Sequence, residues 1–278
     1  MMNILVKSDQ LKAMINTIVF FVTIALTSGR PIVSQTLSEL ITQGDALHNQ
    51  FDTYGAFKAY KAASILDSTN FDVLWKMAGE LIDMGNELPK SSDQAAKYRE
   101  AEAIARKAIY LNPNHAKGHV LLALALEKAA LGYTGTDRIK TLNQSRIAAE
   151  KAIEINADED LALSLLGRWN REMTNTAWIT RTFSKLFIVS TPPATYEKAA
   201  DQFTKAIAIN RNCIAHYLEL GKTYVLLEKW TEAGEAFQKV VDLQVTQKSD
   251  SKWQRVAKHY LQLLQQGNHS ELVDSIEE

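Results

Sequence analysis

The fold is decided by an eleven-residue stretch, AGEAFQKVVDL (233–243), which returns four more times along the chain. Each copy has a small residue at its first position, Ala or Val at its eighth and an apolar residue at its eleventh, and these positions share one helical face. The other copies are AFKAYKAASIL (56–66), AEAIARKAIYL (101–111), SRIAAEKAIEI (145–155) and AADQFTKAIAI (199–209). A single unit cannot bury its apolar face, so the recurrence predicts an all-α protein, an α-solenoid of stacked helical hairpins.

The spacing of the blocks predicts tetratricopeptide-like hairpins in which each block is the second helix. The blocks begin at residues 56, 101, 145, 199 and 233, so only the last interval equals the tetratricopeptide period of 34 residues. Leu220, Gly221 and Tyr224 precede that last block as a first helix should, and Leu166-Gly167 repeats the pattern. We expect the longer intervals to carry insertions between the two helices, near residues 86–97, 132–143 and 174–196.

The N-terminal region contains the only strongly apolar run, Met14 to Leu26. As a helix its thirteen residues would reach about 20 Å, short of a bilayer core of about 30 Å. Lys7 and Lys12 precede the run and small residues follow it, a pattern typical of a secretory signal peptide. We therefore expect residues 1–34 to be cleaved and the protein to be periplasmic or secreted. An N-terminal membrane anchor and a cytosolic helix remain as alternatives.

The C-terminal region is expected to close the solenoid. An apolar stripe that includes Trp253, Ala257 and Tyr260 predicts a helix that caps the last repeat. Beyond it, residues 267–278 are acidic and poor in core residues, so we expect a frayed acidic tail. The predicted solenoid domain is then 35–266.

Composition and motifs argue against several classes of function. The formal net charge of −1 gives no bulk attraction to nucleic acid or to an anionic membrane. Cys213 is the single cysteine, which excludes an intrachain disulfide, and we expect it to be a small packing residue. His115 and His119 lack further ligands in a metal-binding pattern, and the sequence has no phosphate-binding loop or nucleophile elbow. We therefore predict a non-enzymatic protein with no catalytic residues, no cofactor and no metal.

Candidate binding residues follow from the first-helix register that Gly167 and Gly221 set, because first helices line the groove of a tetratricopeptide solenoid. The groove-binding candidates are Trp75, Lys117, Arg168, Arg171 and Lys222. Cations with few acids opposite, mainly Glu127 and Glu172, could hold a carboxylate or phosphate by charge-assisted hydrogen bonds. The alternative is that the two arginines pair with nearby acids on the solenoid surface.

One segment goes beyond a plain tetratricopeptide repeat. It carries Gly167-Arg168-Trp169, then Trp178 and Arg181, then the loop Pro192-Pro193-Ala194-Thr195 and the helix with Phe203. With the later L-G-K-T-Y (220–224) and L-N-P (111–113) segments, the chain resembles the regulator of microtubule dynamics family over Leu37 to Leu264.

That resemblance implies a tetratricopeptide-like fold and suggests partners. Members in eukaryotes are linked to microtubules, mitochondria and organelle contacts, and some bind lipid; bacterial chains share the fold. Export from a bacterium would place this protein where no microtubule exists. Two functions therefore stay open: a scaffold that holds a protein or peptide in its groove, and a carrier that encloses a lipid or another amphiphilic acid.

Overall fold

The computed structural model describes residues 35–175 and 193–277, which form twelve helices and no strand. The first ten helices form five consecutive hairpins: α1 (Leu37–Asn49) with α2 (Thr53–Leu66), α3 (Phe71–Glu87) with α4 (Ser91–Leu111), α5 (Ala116–Ala130) with α6 (Gly135–Ile155), α7 (Asp160–Asn175) with α8 (Tyr196–Ile209), and α9 (Ile214–Leu226) with α10 (Trp230–Asp242). The remaining helices, α11 (Asp250–Gln265) and α12 (His269–Glu277), pack on the last hairpin. The prediction of an all-α solenoid is confirmed.

The predicted signal peptide, residues 1–34, lies outside the described residues. Among the helices that the structure describes, none combines the length and the apolar character needed to cross a membrane.

Side-chain caps start several helices where the sequence has a short polar residue. At the start of α1, Thr36 Oγ1 accepts a hydrogen bond from the Glu39 amide at 3.2 Å, and the Glu39 carboxylate accepts one from the Thr36 amide at 2.8 Å. Asn70 caps α3 and Thr195 caps α8 through the same third amide. These bonds satisfy backbone donors that a helix leaves unpaired at its N-terminus.

Glycine and an aromatic ring meet inside four of the five hairpins. The pairs are Gly44–Tyr60, Gly85–Tyr98, Gly167–Phe203 and Gly221–Phe237. A Cβ atom on Gly221 would lie only 2.5 Å from a ring carbon of Phe237, which is fully buried. Three of these aromatic residues occupy the fifth position of the repeated block, whereas Tyr98 precedes its block and was not anticipated. The first helix therefore leaves a hole that a ring on the second helix fills.

The first two expected insertions are present, and most of their residues extend helices rather than form loops. The second helices α4 and α6 have 21 residues each, against 14 in α2 and α8. Pro89 lies in the short connection before α4, and the residues after it favour helix. Adding turns to a formed helix is favourable once the first turn exists. The third insertion falls largely in 176–192, outside the described residues.

The expected frayed tail is instead helix α12. Leu272 on this helix is fully buried against α11 and the last hairpin, and the Trp230 and His269 rings stack with centroids 4.0 Å apart. The tail looked poor in core residues because only Leu272, Val273 and Ile276 are apolar in a short segment. Their helical spacing places them on one face, which is enough to dock α12.

Candidate interaction groove

The groove is the face lined by the first helices α1, α3, α5, α7 and α9, of which α3, α5, α7 and α9 lie next to one another in order. Arg168 on α7 reaches Glu127 on α5 with two parallel hydrogen bonds. Its Nε lies 2.6 Å from Oε1 and its Nη2 lies 3.0 Å from Oε2, while Nη1 lies 3.3 Å from Ser164 Oγ. This bidentate pair joins the third hairpin to the fourth and fixes the direction of the guanidinium.

Glu219 on α9 is the centre of a second ionic contact. Its Oε2 accepts a short hydrogen bond from Arg171 Nη2, and its Oε1 lies 3.5 Å from Lys222 Nζ. Arg171 Nη1 also donates to the Glu219 backbone carbonyl at 3.1 Å. Burial acts to raise the pKa of Glu219, but Arg171, Lys222 and Arg168 outweigh it and hold that pKa well below its usual range. The carboxylate is therefore charged at neutral pH.

A third pair lies at the edge of a small cleft between α5, α6 and α7. Arg138 Nη2 lies 2.7 Å from Glu172 Oε1. The cleft has a volume of about 200 Å³. Its lining includes Glu127, Lys128, Arg138, Leu165, Arg168, Trp169, Arg171 and Glu172. We call the three ionic contacts, Arg168–Glu127, Arg138–Glu172 and Arg171–Glu219–Lys222, the ion-pair belt.

Two of the five sequence candidates lie away from this belt. Trp75 Nε1 donates to Asp72 Oδ1 at 3.1 Å within α3. Lys117 Nζ lies 2.9 Å from Glu159 Oε2 near the start of α5, about 15 Å along the helix axis from Glu127. The structure thus brings together Arg168, Arg171 and Lys222, but not the other two. Ligand binding by any of the five stays a prediction.

Glu219 is the residue that the sequence interpretation missed. Glu127 and Glu172 were recognised as acids opposite the cations, but Glu219 was not, although it lies three residues before Lys222 on one helix face. With Glu219 included, both arginines are paired, as the alternative interpretation stated. The groove therefore presents opposite charges side by side rather than a row of unpaired cations.

The first two hairpins are joined by a separate polar network. Asp45 Oδ1 on α1 accepts hydrogen bonds from Tyr60 Oη at 2.6 Å and from Lys76 Nζ at 2.5 Å. His48 Nδ1 lies 2.7 Å from Oε1 of the buried Glu80. The hydrogen bond with Glu80 outweighs burial and raises the pKa of His48 above its ordinary value.

One contact links distant parts of the solenoid. Lys248, between α10 and α11, places its Nζ 2.7 Å from Oε1 of Glu87 at the end of α3. Hairpins three, four and five lie between these residues in the chain, so the stack brings the end of α3 next to the segment that precedes α11.

Stacked hairpins with glycine–aromatic contacts define the class of protein, an α-solenoid of the tetratricopeptide repeat type. The structure matches that of a thermophilic TPR protein of Thermus thermophilus with a TM-score of 0.59 and 12% sequence identity, over 81% of this chain and 98% of that one. At this identity the likeness shows the fold alone.

The sequence comparisons are more specific. The family model for Regulator of microtubule dynamics protein 1-3 matches residues 40–265, and the chain belongs to this family. It is 28% identical over 217 residues to Regulator of microtubule dynamics protein 1 of Mus musculus, covering 74% of this chain and 68% of that protein. The Homo sapiens protein of the same name is 30% identical over 158 residues, covering 55% and 49% of the two chains.

Proposed function

We propose that this protein is a non-enzymatic scaffold whose groove binds an extended peptide or helical segment of a protein partner. The observation that carries the proposal is the ion-pair belt across α5, α6, α7 and α9. Repeat proteins of this architecture use extended surfaces for binding, and the belt gives such a surface fixed polar groups of both signs. No catalytic arrangement is needed for this role.

The belt suits a peptide because its charged groups are held in place before binding. Glu127 holds Arg168, and Glu219 holds Arg171, so little side-chain freedom remains to be lost when a partner binds. The cleft of about 200 Å³ is smaller than the roughly 300–1,000 Å³ of typical small-molecule pockets. It has room for one side chain of a partner rather than for a whole ligand.

Lys222 is the proposed contact for an acidic group of that partner. Among the residues that the structure describes, its ion pair is the long contact with Glu219, at 3.5 Å, and an ammonium has three donors. Arg168 and Arg171 are proposed to frame the groove, because their donors are largely taken by Glu127, Ser164, Glu219 and Thr223. A partner carboxylate could therefore approach Lys222 without breaking the arginine pairs.

Site-specific photocrosslinking tests this proposal. A photoreactive residue at position 222 should capture a protein partner in the native cell, because this position faces the groove. The matched control is position 58 on the second helix α2, where Lys58 is exposed and its Nζ lies 5.8 Å from the Tyr54 ring centre of its own helix. Capture at 222 but not at 58 is expected. Equal capture at both positions, or none at 222, contradicts groove binding.

A carrier for an amphiphilic acid is the second candidate, and one observation favours it. The Lys248–Glu87 contact brings the segment before α11 next to the end of α3, and we propose that it narrows the groove along this edge. Solvent extraction of protein purified from its native cell separates the two candidates. A lipid recovered at one molecule per chain, with no protein captured at position 222, would favour the carrier.

We also propose that the protein is exported after cleavage behind Ser34. The support is the short apolar run and its basic flank in the sequence. The relatives are named for regulating microtubule dynamics, but an exported bacterial protein would not meet microtubules, so we do not carry that activity over. Mass spectrometry of the N-terminus tests export: a mature chain that begins at Gln35 is expected, and an intact Met1 contradicts it.

A further inference from the structure

Three side chains that can bind metal converge where the fourth and fifth hairpins meet. Asp160 opens α7, Cys213 is the N-cap of α9, and His216 lies in the first turn of α9. One ligand atom of each residue lies within 4.8 Å of the other two. The proposed groove function uses none of these groups.

His216 is incompletely satisfied by the protein. Its side chain is only 2% exposed, and its Nε2 lies 3.0 Å from Asp160 Oδ2. Its Nδ1 is buried and makes no well-aligned hydrogen bond among the described residues, although the Cys213 thiol is close enough to interact with the ring. Buried polar atoms are normally paired and a thiol is only a weak partner, so this nitrogen beside the thiol points to a missing ligand.

We propose that Asp160, Cys213 and His216 bind a divalent transition-metal ion of the zinc class. A thiolate, an imidazole nitrogen and a carboxylate oxygen are the ligand types that zinc takes in proteins. Tetrahedral coordination would bring the ligand atoms to roughly 3.5 Å from one another, so side-chain rotations must close a gap of about 1 Å. The metal would brace α7 against α9 and keep a fourth position for water or another ligand.

The neighbouring residues fit such a site. Asn210 Nδ2 donates a hydrogen bond to Asp160 Oδ2 at 2.9 Å, which orients the carboxylate. Cys213 and His216 are three residues apart and face the same side of the first turn. The sequence predicted no metal because Asp160 is more than fifty residues away from both, and only the stacking of hairpins brings it close.

Cobalt titration of the chelator-treated protein tests the site. We expect one Co²⁺ per chain, with the thiolate-to-cobalt charge-transfer band and the visible bands of a tetrahedral complex. Zn²⁺ should then displace the cobalt. The charge-transfer band can be assigned directly, because Cys213 is the single cysteine of the chain.

Two variants and a control locate the ligands. Cys213→Ser should remove the charge-transfer band, and Asp160→Asn should weaken cobalt binding by about tenfold or more while the band remains. His119→Gln is the control, since His119 is a half-buried histidine outside the cluster whose Nε2 lies 2.9 Å from the Pro113 carbonyl oxygen. It should bind cobalt as the unchanged protein does. Circular dichroism of each variant confirms that it is folded.

A second measurement needs no variant. Zn²⁺ should slow alkylation of Cys213 in the folded protein by about tenfold or more, because a metal-bound thiolate is a poor nucleophile. Absence of a charge-transfer band at a large excess of cobalt overturns the proposal. So does an alkylation rate that zinc leaves unchanged.

Discussion

The third and fifth hairpins bring their two helices together in different ways. In the fifth, Gly221 on α9 leaves a hole for the ring of Phe237 on α10. In the third, small residues line both helices, and Ser145 Oγ on α6 donates a hydrogen bond to the Ala123 carbonyl on α5 at 2.7 Å. Close approach can thus come from a hole filled by a ring, or from small residues on both sides. The repeated block marks the second helix in both cases, but only the first arrangement is also marked on the first helix, by Leu220-Gly221.

The two hairpins also differ in how they join the fourth. Glu127 on α5 pairs with one cation, Arg168, whereas Glu219 on α9 pairs with Arg171 and Lys222. Loss of Glu219 should therefore be the more damaging change, because it leaves two partly buried cations unpaired.

The largest expected effect is that of Glu219→Gln. It should lower the free energy of unfolding by about 3–5 kcal/mol, since a buried pair that loses one partner leaves an uncompensated charge. Glu127→Gln should lower the free energy of unfolding by a smaller amount. Urea unfolding measures both, with Asp201→Asn as the control, because its exposed pair with Lys205 is worth at most about 1 kcal/mol. A cost for Glu219→Gln no larger than that of the control would show that the belt does not hold α9 to α7.

Substitutions that add a large side chain compare the interface inside the fifth hairpin with the one inside the third. Gly221→Leu in the fifth and Ala149→Leu in the third should each cost about 1–3 kcal/mol, because both positions are packed without free space. The control is Gly234→Ala on α10, where a Cβ would meet nothing closer than 3.9 Å. That change should stabilise the helix by about 0.5–1 kcal/mol. A mild effect of Ala149→Leu alone would show that the third hairpin is the looser one.

A smaller effect is expected from the hydrogen bond inside the third hairpin. Ser145→Ala should cost about 1 kcal/mol, the usual net value of a buried hydrogen bond. Thr141→Ala on the same helix removes a bond of the same type within α6, but at an exposed position. Thermal unfolding should show a larger fall in melting temperature for Ser145→Ala than for Thr141→Ala. Equal changes in melting temperature would mean that the contact between helices adds nothing beyond local bonding.

The smallest effect belongs to His48 in the first hairpin, which serves as a reference outside both regions. Its pKa is raised from 6.5 in the folded protein, so its pair with Glu80 contributes fully below pH 6.5 and is lost as the pH rises through the folded-state pKa. The contribution is small because the His48 side chain is 57% exposed. The quantity to follow is the melting temperature of the unchanged protein minus that of His48→Gln. We expect this difference to decrease slightly as the pH rises from about 6 to about 9. A constant difference would contradict the pairing.

The architecture could be predicted because it depends on local patterns. The eleven-residue block places the apolar face of each second helix, and Gly167 or Gly221 marks where a ring on that helix must fit. The lengths of α4 and α6 could not be predicted in the same way, because a long interval between blocks does not reveal whether its residues form a loop or extra helical turns.

The residues of the ion-pair belt could be predicted only in part, for a different reason. The groove register identified Arg168, Arg171 and Lys222, since first-helix positions repeat with the hairpins. The acid between them, Glu219, is paired across hairpins, and such pairing depends on rotamers and on the curvature of the stack. The cluster of Asp160 with Cys213 and His216 is non-local in the same sense.

Native mass spectrometry of the protein purified from its own cell tests the scaffold proposal most directly. We expect a complex with a protein or peptide partner. We also expect Lys222→Ala to weaken this complex while the melting temperature of the protein stays nearly unchanged. A stoichiometric lipid in place of a protein partner would contradict the scaffold. So would a partner complex that Lys222→Ala leaves intact.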